Sequence, residues 1–311
     1  MPPTRSLGLL FALLSALTFS TSGPLAHALL DAGWSAPAAV AIRVGTAAAV
    51  LAVPAAIALR GRWAAVRRGL TGLVLFGVLG VGIAQVAFFN AIRYLPVGVA
   101  LLLEYLGVVL VVFWMWAVHG QRPRALTAAG AVTAVVGLAL VLDLSGGARL
   151  SLVGVLWGLL AGVGLAAYFV LGARDSDGEG VPPLALATAG LGIGAVLLVL
   201  LGAVGLLPMH AAFGTVSLGG QRVSWLVPVA GLSLVAAVVP YVAGIVAARA
   251  LGARLSSFVG LTEVLFAVLI AWLVLDELPT PVQIAGGALI IAGVVLVRLD
   301  ERKPAEVLVS A

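Results

Sequence analysis

Residues 97–118 read VGVALLLEYLGVVLVVFWMWAV, an apolar run with a single carboxylate, Glu104. Residues 254–275 read RLSSFVGLTEVLFAVLIAWLVL, with Glu263 as the only acid. As a helix, either run is long enough to cross the hydrocarbon core of a bilayer, which takes about 20 residues. A carboxylate at that depth is costly, so acids there are rare and mark substrate, ion or proton pathways. One such acid in each half of the chain points to organisation.

Outward from these two stretches the chain stays apolar. Its 311 residues are 63% hydrophobic and 9% charged, with a mean hydropathy of +1.23, whereas a soluble domain carries about 25% charged residues. A soluble fold of this size has no interior large enough for so much apolar surface, so lipid is the solvent for most of it. The runs are unbroken, which predicts helices, since barrel strands would show short alternating segments. A hydropathy window moved along the chain stops at 7–30, 36–59, 69–91, 97–118, 125–143, 152–173, 182–206, 225–248, 254–275 and 281–299. The fold class is therefore an all-α integral membrane protein with ten transmembrane helices. Arg5, the apolar run 7–17 and Ala26-His27-Ala28 loosely imitate a secretory signal. The apolar character continues to about Leu30, however, and an uncleaved first helix is expected.

The net charge of +5 raises the possibility of nucleic acid, but the arginines fall in short clusters between apolar runs, as in cytoplasmic loops. With the N-terminus inside and the spans alternating, only Arg93, Arg149 and Arg222 fall outside, and Arg43 lies within a span. Every other one of the 17 Lys and Arg falls inside. This asymmetry predicts both termini in the cytoplasm of a multi-pass protein of the cytoplasmic membrane. The acidic loop 175–179 also falls inside, where acids count for little. The chain has no cysteine, which removes disulfides, thiolate metal sites and redox motifs.

The halves repeat. Gly130 and Gly137 in the fifth span match Gly286 and Gly293 in the tenth, and Glu104 precedes its glycine pair by nearly as much as Glu263 precedes its own. Five spans is an odd number, so the second copy enters the membrane from the opposite side. That is an inverted repeat of five plus five, a signature of secondary transporters with a site near the midplane. The expected units are residues 1–148 and 149–300, with a short cytoplasmic tail at 301–311. Glycine-rich membrane helices also resemble one another without common descent, which accounts for the glycines less awkwardly than for the acids.

On these residues the chain resembles the drug/metabolite transporter superfamily, in its EamA-type branch of ten-helix carriers. The resemblance is strongest over residues 255–295, in Leu261-Thr262-Glu263-Val264, in Ala271-Trp272-Leu273-Val274-Leu275-Asp276-Glu277-Leu278 and in Gln283-Ile284-Ala285-Gly286-Gly287. Ala41-Ile42-Arg43 and Ala91-Ile92-Arg93-Tyr94-Leu95 add to it. Leu103-Glu104-Tyr105-Leu106-Gly107 is similar to the fourth-helix motif of the threonine/homoserine exporter group. There a proline follows the glycine, and here Val108 stands in its place, which takes weight off an amino-acid substrate. Such a proline would loosen the helix ladder and help shape a cavity. The resemblance implies export, a direction that the residues alone do not give.

Glu104 and Glu263 are the leading site candidates, facing a cavity to neutralise a substrate ammonium or to carry a proton. The plainer alternatives are a packing pair with Arg43 for Glu104, and snorkelling to the inner surface for Glu263, whose helix starts on the polar Arg254-Leu255-Ser256-Ser257. Arg43 either reaches the outer headgroups or pairs with a carboxylate or a substrate acid. His27 follows Gly23-Pro24, a break that can expose backbone carbonyls, while Ser20, Thr21 and Ser22 either face a ligand or bond back to their own helix. Tyr105 is rotated about 100° from Glu104 on the helix. Gln85 and Asn90 do not share a helix face. Tyr168 and Tyr241 either stack on a substrate or pack.

Enzyme motifs such as H-E-x-x-H, G-x-S-x-G and a Walker A loop are absent from the sequence. No catalytic residue, metal or cofactor is expected. The function read from the chain is a secondary active transporter that exports small metabolites, such as amino acids or amphipathic and cationic compounds, by alternating access with possible proton coupling. A passive channel and an intramembrane lipid-modifying enzyme are the alternatives. Expected partners are a small-molecule substrate and membrane lipid, with no nucleic acid, in a monomer or homodimer.

Overall fold

Hydrocarbon offers no water to backbone N–H and C=O groups, so an apolar chain satisfies them within helices. The computed structural model describes residues 5–95, 97–142, 151–174, 180–275 and 278–302, and these are mostly helical. Arg149, the acidic loop 175–179 and the tail after residue 302 lie outside the described residues.

Among the described residues, eight helical segments are long and apolar enough to cross a membrane. The first runs from Arg5 to Asp31 as α1 (Arg5–Ser20) and α2 (Ser22–Asp31), interrupted at Thr21. The expected break at Gly23-Pro24 is thus displaced toward the N-terminus. Proline lacks an N–H for the carbonyl four residues back and its ring crowds that carbonyl, here of Ser20. The helix α3 (Ala36–Ala58) follows, and a short helix, α4 (Trp63–Arg68), leads into the third span. That span is α5 (Leu70–Leu75), a π-helical segment Phe76–Ile83 and α6 (Ala84–Ala91). Next come α7 (Val97–Tyr105) with α8 (Gly107–His119), the shorter α9 (Ala125–Val141), α10 (Leu152–Gly172) and α11 (Pro183–Ala203).

The connection after α11 adds one feature to the all-helical expectation. An antiparallel hairpin forms from β1 (Thr215–Leu218) and β2 (Gln221–Ser224), with Thr215 opposite Ser224 and Leu218 opposite Gln221. Its turn is Gly219-Gly220, both at positive φ (59° and 77°), the requirement of a two-residue hairpin loop. Val216 is buried against Trp34 and its neighbours, and the Trp34 indole N–H donates to the Ala212 carbonyl at 2.6 Å.

A second π-helical segment, Gly231–Val238, follows α12 (Leu226–Ala230) and leads into α13 (Val239–Gly260). Gly252 in α13 has φ 82° and ψ 162°, so two helices meet there end to end. Then come α14 (Thr262–Leu275) and α15 (Pro281–Arg302). The expected spans 125–143 and 254–275 therefore correspond to the 17-residue α9 and to the end of α13 joined to α14.

Helices early in the chain pack on helices late in it: α1 on α13, α3 on α11 and α9 on α15. The α9–α15 seam explains the repeated glycines. A side chain on Gly137 would meet the Gly286 carbonyl oxygen at 2.6 Å, and one on Gly293 would meet that of Gly130 at 2.6 Å. Bare backbone on both faces lets the two helices approach closely, as small residues do between membrane helices.

Candidate functional site

Between these helices lies a cavity of about 220 Å³, and both intramembrane acids line it. Glu104 stands near the end of α7, two residues before Leu106, where the helix is interrupted. Glu263 stands in the first turn of α14, two residues after Leu261, where the other is interrupted. At both interruptions the ladder tightens to the three-residue spacing. Val109 N–H donates to the Leu106 carbonyl (2.9 Å), and Leu261 N–H donates to the Phe258 carbonyl (3.1 Å). The first interruption forms without a proline after Gly107. Gly107 itself is buried, and a side chain there would run into the carbonyl of Gly162 in α10.

Arg43 of α3 joins the acids from across the cavity. It does not reach the outer headgroups, being only 8% exposed. Its Nη2 donates to the Ala236 carbonyl at 2.5 Å, and its guanidinium carbon sits 5.2 Å from the centroid of the Phe19 ring, within cation–π range. The sequence explains why that carbonyl accepts a side chain. Pro240, four residues on, has no N–H to give it, and the surrounding segment is π-helical. Arg43 also interacts electrostatically with Glu263 and with Tyr241.

Glu263 is the more heavily partnered acid. Tyr105 and Arg43 both act on it electrostatically, and both line the same cavity. Glu104 feels the charge of Glu263, and no hydrogen bond to its carboxylate is found among the described residues. It is half-buried rather than sealed.

The walls are aromatic and small. Tyr168 and Tyr241 cross edge to face with centroids 5.7 Å apart, and Phe19 lies 5.4 Å from Tyr241. The Tyr168 hydroxyl is buried with no hydrogen-bond partner among the described residues. Gln85 also lines the cavity, whereas Asn90 turns back to the Val86 carbonyl (2.9 Å) and stays outside the lining. Glu104, Glu263, Arg43, Tyr105, Gln85, Tyr168 and Tyr241 thus come together in one place. His27 does not. It is exposed, and its Nδ1 lies 2.9 Å from Asp31 Oδ2 one helical turn away, a surface pair of small energetic weight. Of the hydroxyls beside it, Ser22 lines the cavity, and Ser20, Thr21 and Ser22 all donate back to carbonyls three residues earlier.

The sequence reading missed Ser15, Phe19, Phe88, Phe169 and Ser256, which also line the cavity. Ala12, Ser15, Ala16, Phe19 and Ser22 recur at three- and four-residue intervals, the spacing of one helix face. That pattern was available in the sequence. Ser15 bridges to the Pro240 carbonyl (2.9 Å), so α1 and α3 both anchor on the same proline-bearing stretch. Among the described residues no group of three His, Cys, Asp or Glu is placed to hold a metal ion.

Comparison with known proteins finds one family model matching twice. The model described as the EamA-like transporter family covers residues 6–143 and again residues 152–299. A relative described as an uncharacterized transporter of Archaeoglobus fulgidus is 29% identical over 229 residues, which is 74% of this chain and 76% of the relative. A solved crystal structure, titled only as that of a protein, superposes with a TM-score of 0.76 over 96% of this chain and 99% of its own. Its sequence is 19% identical, so that likeness concerns the fold alone.

Proposed function

The chain belongs to the EamA-like transporter family and is a multi-pass membrane transporter; on that premise we propose that it is a secondary active carrier working by alternating access. The reading takes ten transmembrane helices in two inverted units, residues 1–148 and 149–300, a tail at 301–311, and both termini in the cytoplasm. The two family matches, one per unit, support the duplication. The pairing of early helices with late ones supports a site between the units. The observation that carries the functional reading is a single cavity holding Glu104, Glu263 and Arg43, lined by helices of both units.

The two acids change protonation or partners as one unit rocks against the other, and Arg43, Tyr105, Gln85, Tyr168 and Tyr241 shape the site around them. The sequence carries no nucleotide-binding loop, so a gradient drives the cycle. The cargo is a small metabolite, an amino acid or an amphipathic amine, and the direction is export across the cytoplasmic membrane. A thermal-shift screen against amino acids, polyamines, nucleosides and cationic drugs selects a ligand, because binding to the folded state raises its apparent stability. Proteoliposomes preloaded with that ligand then show transient counterflow if the protein is a carrier. Simple equilibration without counterflow supports the passive facilitator instead. The intramembrane enzyme has no cluster of catalytic side chains in its favour among the described residues.

A further inference from the structure

We propose that the connection between the second and third spans binds an acidic phospholipid. The headgroup phosphate sits on Arg60, Arg67 and Arg68, and the acyl chains lie along the ends of α3 and α5. The site is separate from the central cavity and does not depend on the carrier reading. It needs only that the segments Ala36–Ala58 and Leu70–Ala91 cross the membrane, which leaves residues 59–69 at a membrane surface in either orientation. Gly61, at φ 73°, turns the chain back after α3. The short α4 then docks by one side: Ala65 is buried, and Val66 packs on the apolar core. Arg62 ties the start of α4 to the Gly180 carbonyl at 3.2 Å. A side chain on Gly69 would meet a Val181 methyl at 3.1 Å, so the far end of α4 lies against the same stretch.

That docking decides which side chains face away. Trp63, Arg67 and Arg68 are exposed, and so is Arg60 just before the turn. Trp63 and Arg67 stand one helical turn apart on the same face. Arg60, Arg67 and Arg68 make no hydrogen bond or ion pair among the described residues. The sequence supplies no local counter-charge either, since no acid occurs between Asp31 and Glu104. Guanidinium groups match phosphate oxygens in shape as well as charge. What selects a lipid over a free phosphate is the surface beside the arginines. Val53 and Ile57 of α3, and Leu70 and Val74 of α5, are all exposed, an apolar track that begins within a turn of the charges. Trp63 stands at the same level, where tryptophan favours the boundary between membrane and water. Basic residues beside a span favour acidic lipid, and a helix held at both ends presents two of these to a single headgroup.

Native mass spectrometry of the protein in a neutral detergent tests this by titrating phosphatidylglycerol against phosphatidylcholine of the same acyl chains. The expected result is at least about tenfold tighter binding of phosphatidylglycerol by the wild type. The variant carrying Arg67→Gln and Arg68→Gln should lose most of that preference. A control carrying Arg5→Gln and Arg122→Gln removes the same charge from exposed positions on the same membrane side and should keep it. Melting curves verify that each variant folds; where the double variant does not, Arg67→Gln and Arg68→Gln singly decide in the same way. No preference in the wild type overturns the proposal. So does an equal loss in the control, which means diffuse attraction to the whole face. Competition by glycerol 3-phosphate at lipid concentrations would assign the arginines to a free phosphate and overturn it too. A last variant replaces Asp175, Asp177 and Glu179, which precede Gly180 in sequence, by Asn, Asn and Gln. A preference that emerges only there would assign the arginines to the chain's own acids and overturn the lipid site.

Discussion

Arg43 and Glu263 line the same cavity as opposite charges, each within the field of the other. Leaving a buried polar group without its complement costs about 1–3 kcal/mol. Glu263→Gln and Arg43→Gln should therefore each lower stability by about 1–3 kcal/mol in a lipid nanodisc. The double variant should lose clearly less than the sum of the two, because neither charge is then stranded. Strict additivity in a denaturation series would show that the two side chains do not interact. The acids themselves were legible in the sequence, because a charge in an apolar run stands out whatever its surroundings. What Arg43 touches was not, because its main acceptor is a backbone carbonyl. The one clue was Pro240 in a membrane span, four residues after Ala236. His27 misled for the complementary reason: a polar residue near a helix break looks functional until its neighbour Asp31 is seen to occupy it.

At the scale of elements, the α9–α15 seam makes the sharpest demand. The Gly137 position leaves no space for a side chain, with the Gly286 carbonyl oxygen at 2.6 Å and the Ile290 nitrogen at 2.8 Å. Both are backbone atoms and cannot swing away. Gly137→Val should cost about 1–3 kcal/mol or more through overpacking, read as a lower melting temperature of the purified protein. A side chain on Gly23 meets nothing within 4 Å, so Gly23→Ala is the control and should melt as the wild type does. An unchanged melting temperature for Gly137→Val would mean that the seam is not formed. The glycine repeats were visible in the sequence, but their partners became visible only when the two helices lay side by side. The π-helical segments Phe76–Ile83 and Gly231–Val238 were illegible. A helix that is apolar all round has no hydrophobic period whose drift would reveal a change of winding. The hairpin at 215–224 is marked only by its Gly219-Gly220 turn, a short-range signal that hydropathy does not register.

For the whole molecule, membrane spans were the easiest feature to read, and the proposed sidedness rests on arginine placement alone. The chain has no native cysteine, so single-cysteine variants can report it. Arg222→Cys in the hairpin should react with a membrane-impermeant maleimide on intact cells. Arg67→Cys in α4 should react only after permeabilisation, since the reading puts it inside. The reverse pattern would invert the topology and with it the direction of export. The central claim, that Glu104 is the working carboxylate of a carrier, is tested most directly by transport driven by a pH gradient in proteoliposomes. The substrate is the strongest ligand of the thermal-shift screen, compared between the wild type and Glu104→Gln at equal reconstitution. The account predicts gradient-driven accumulation by the wild type and none by the variant, while both retain the fold. Undiminished accumulation by Glu104→Gln would contradict it.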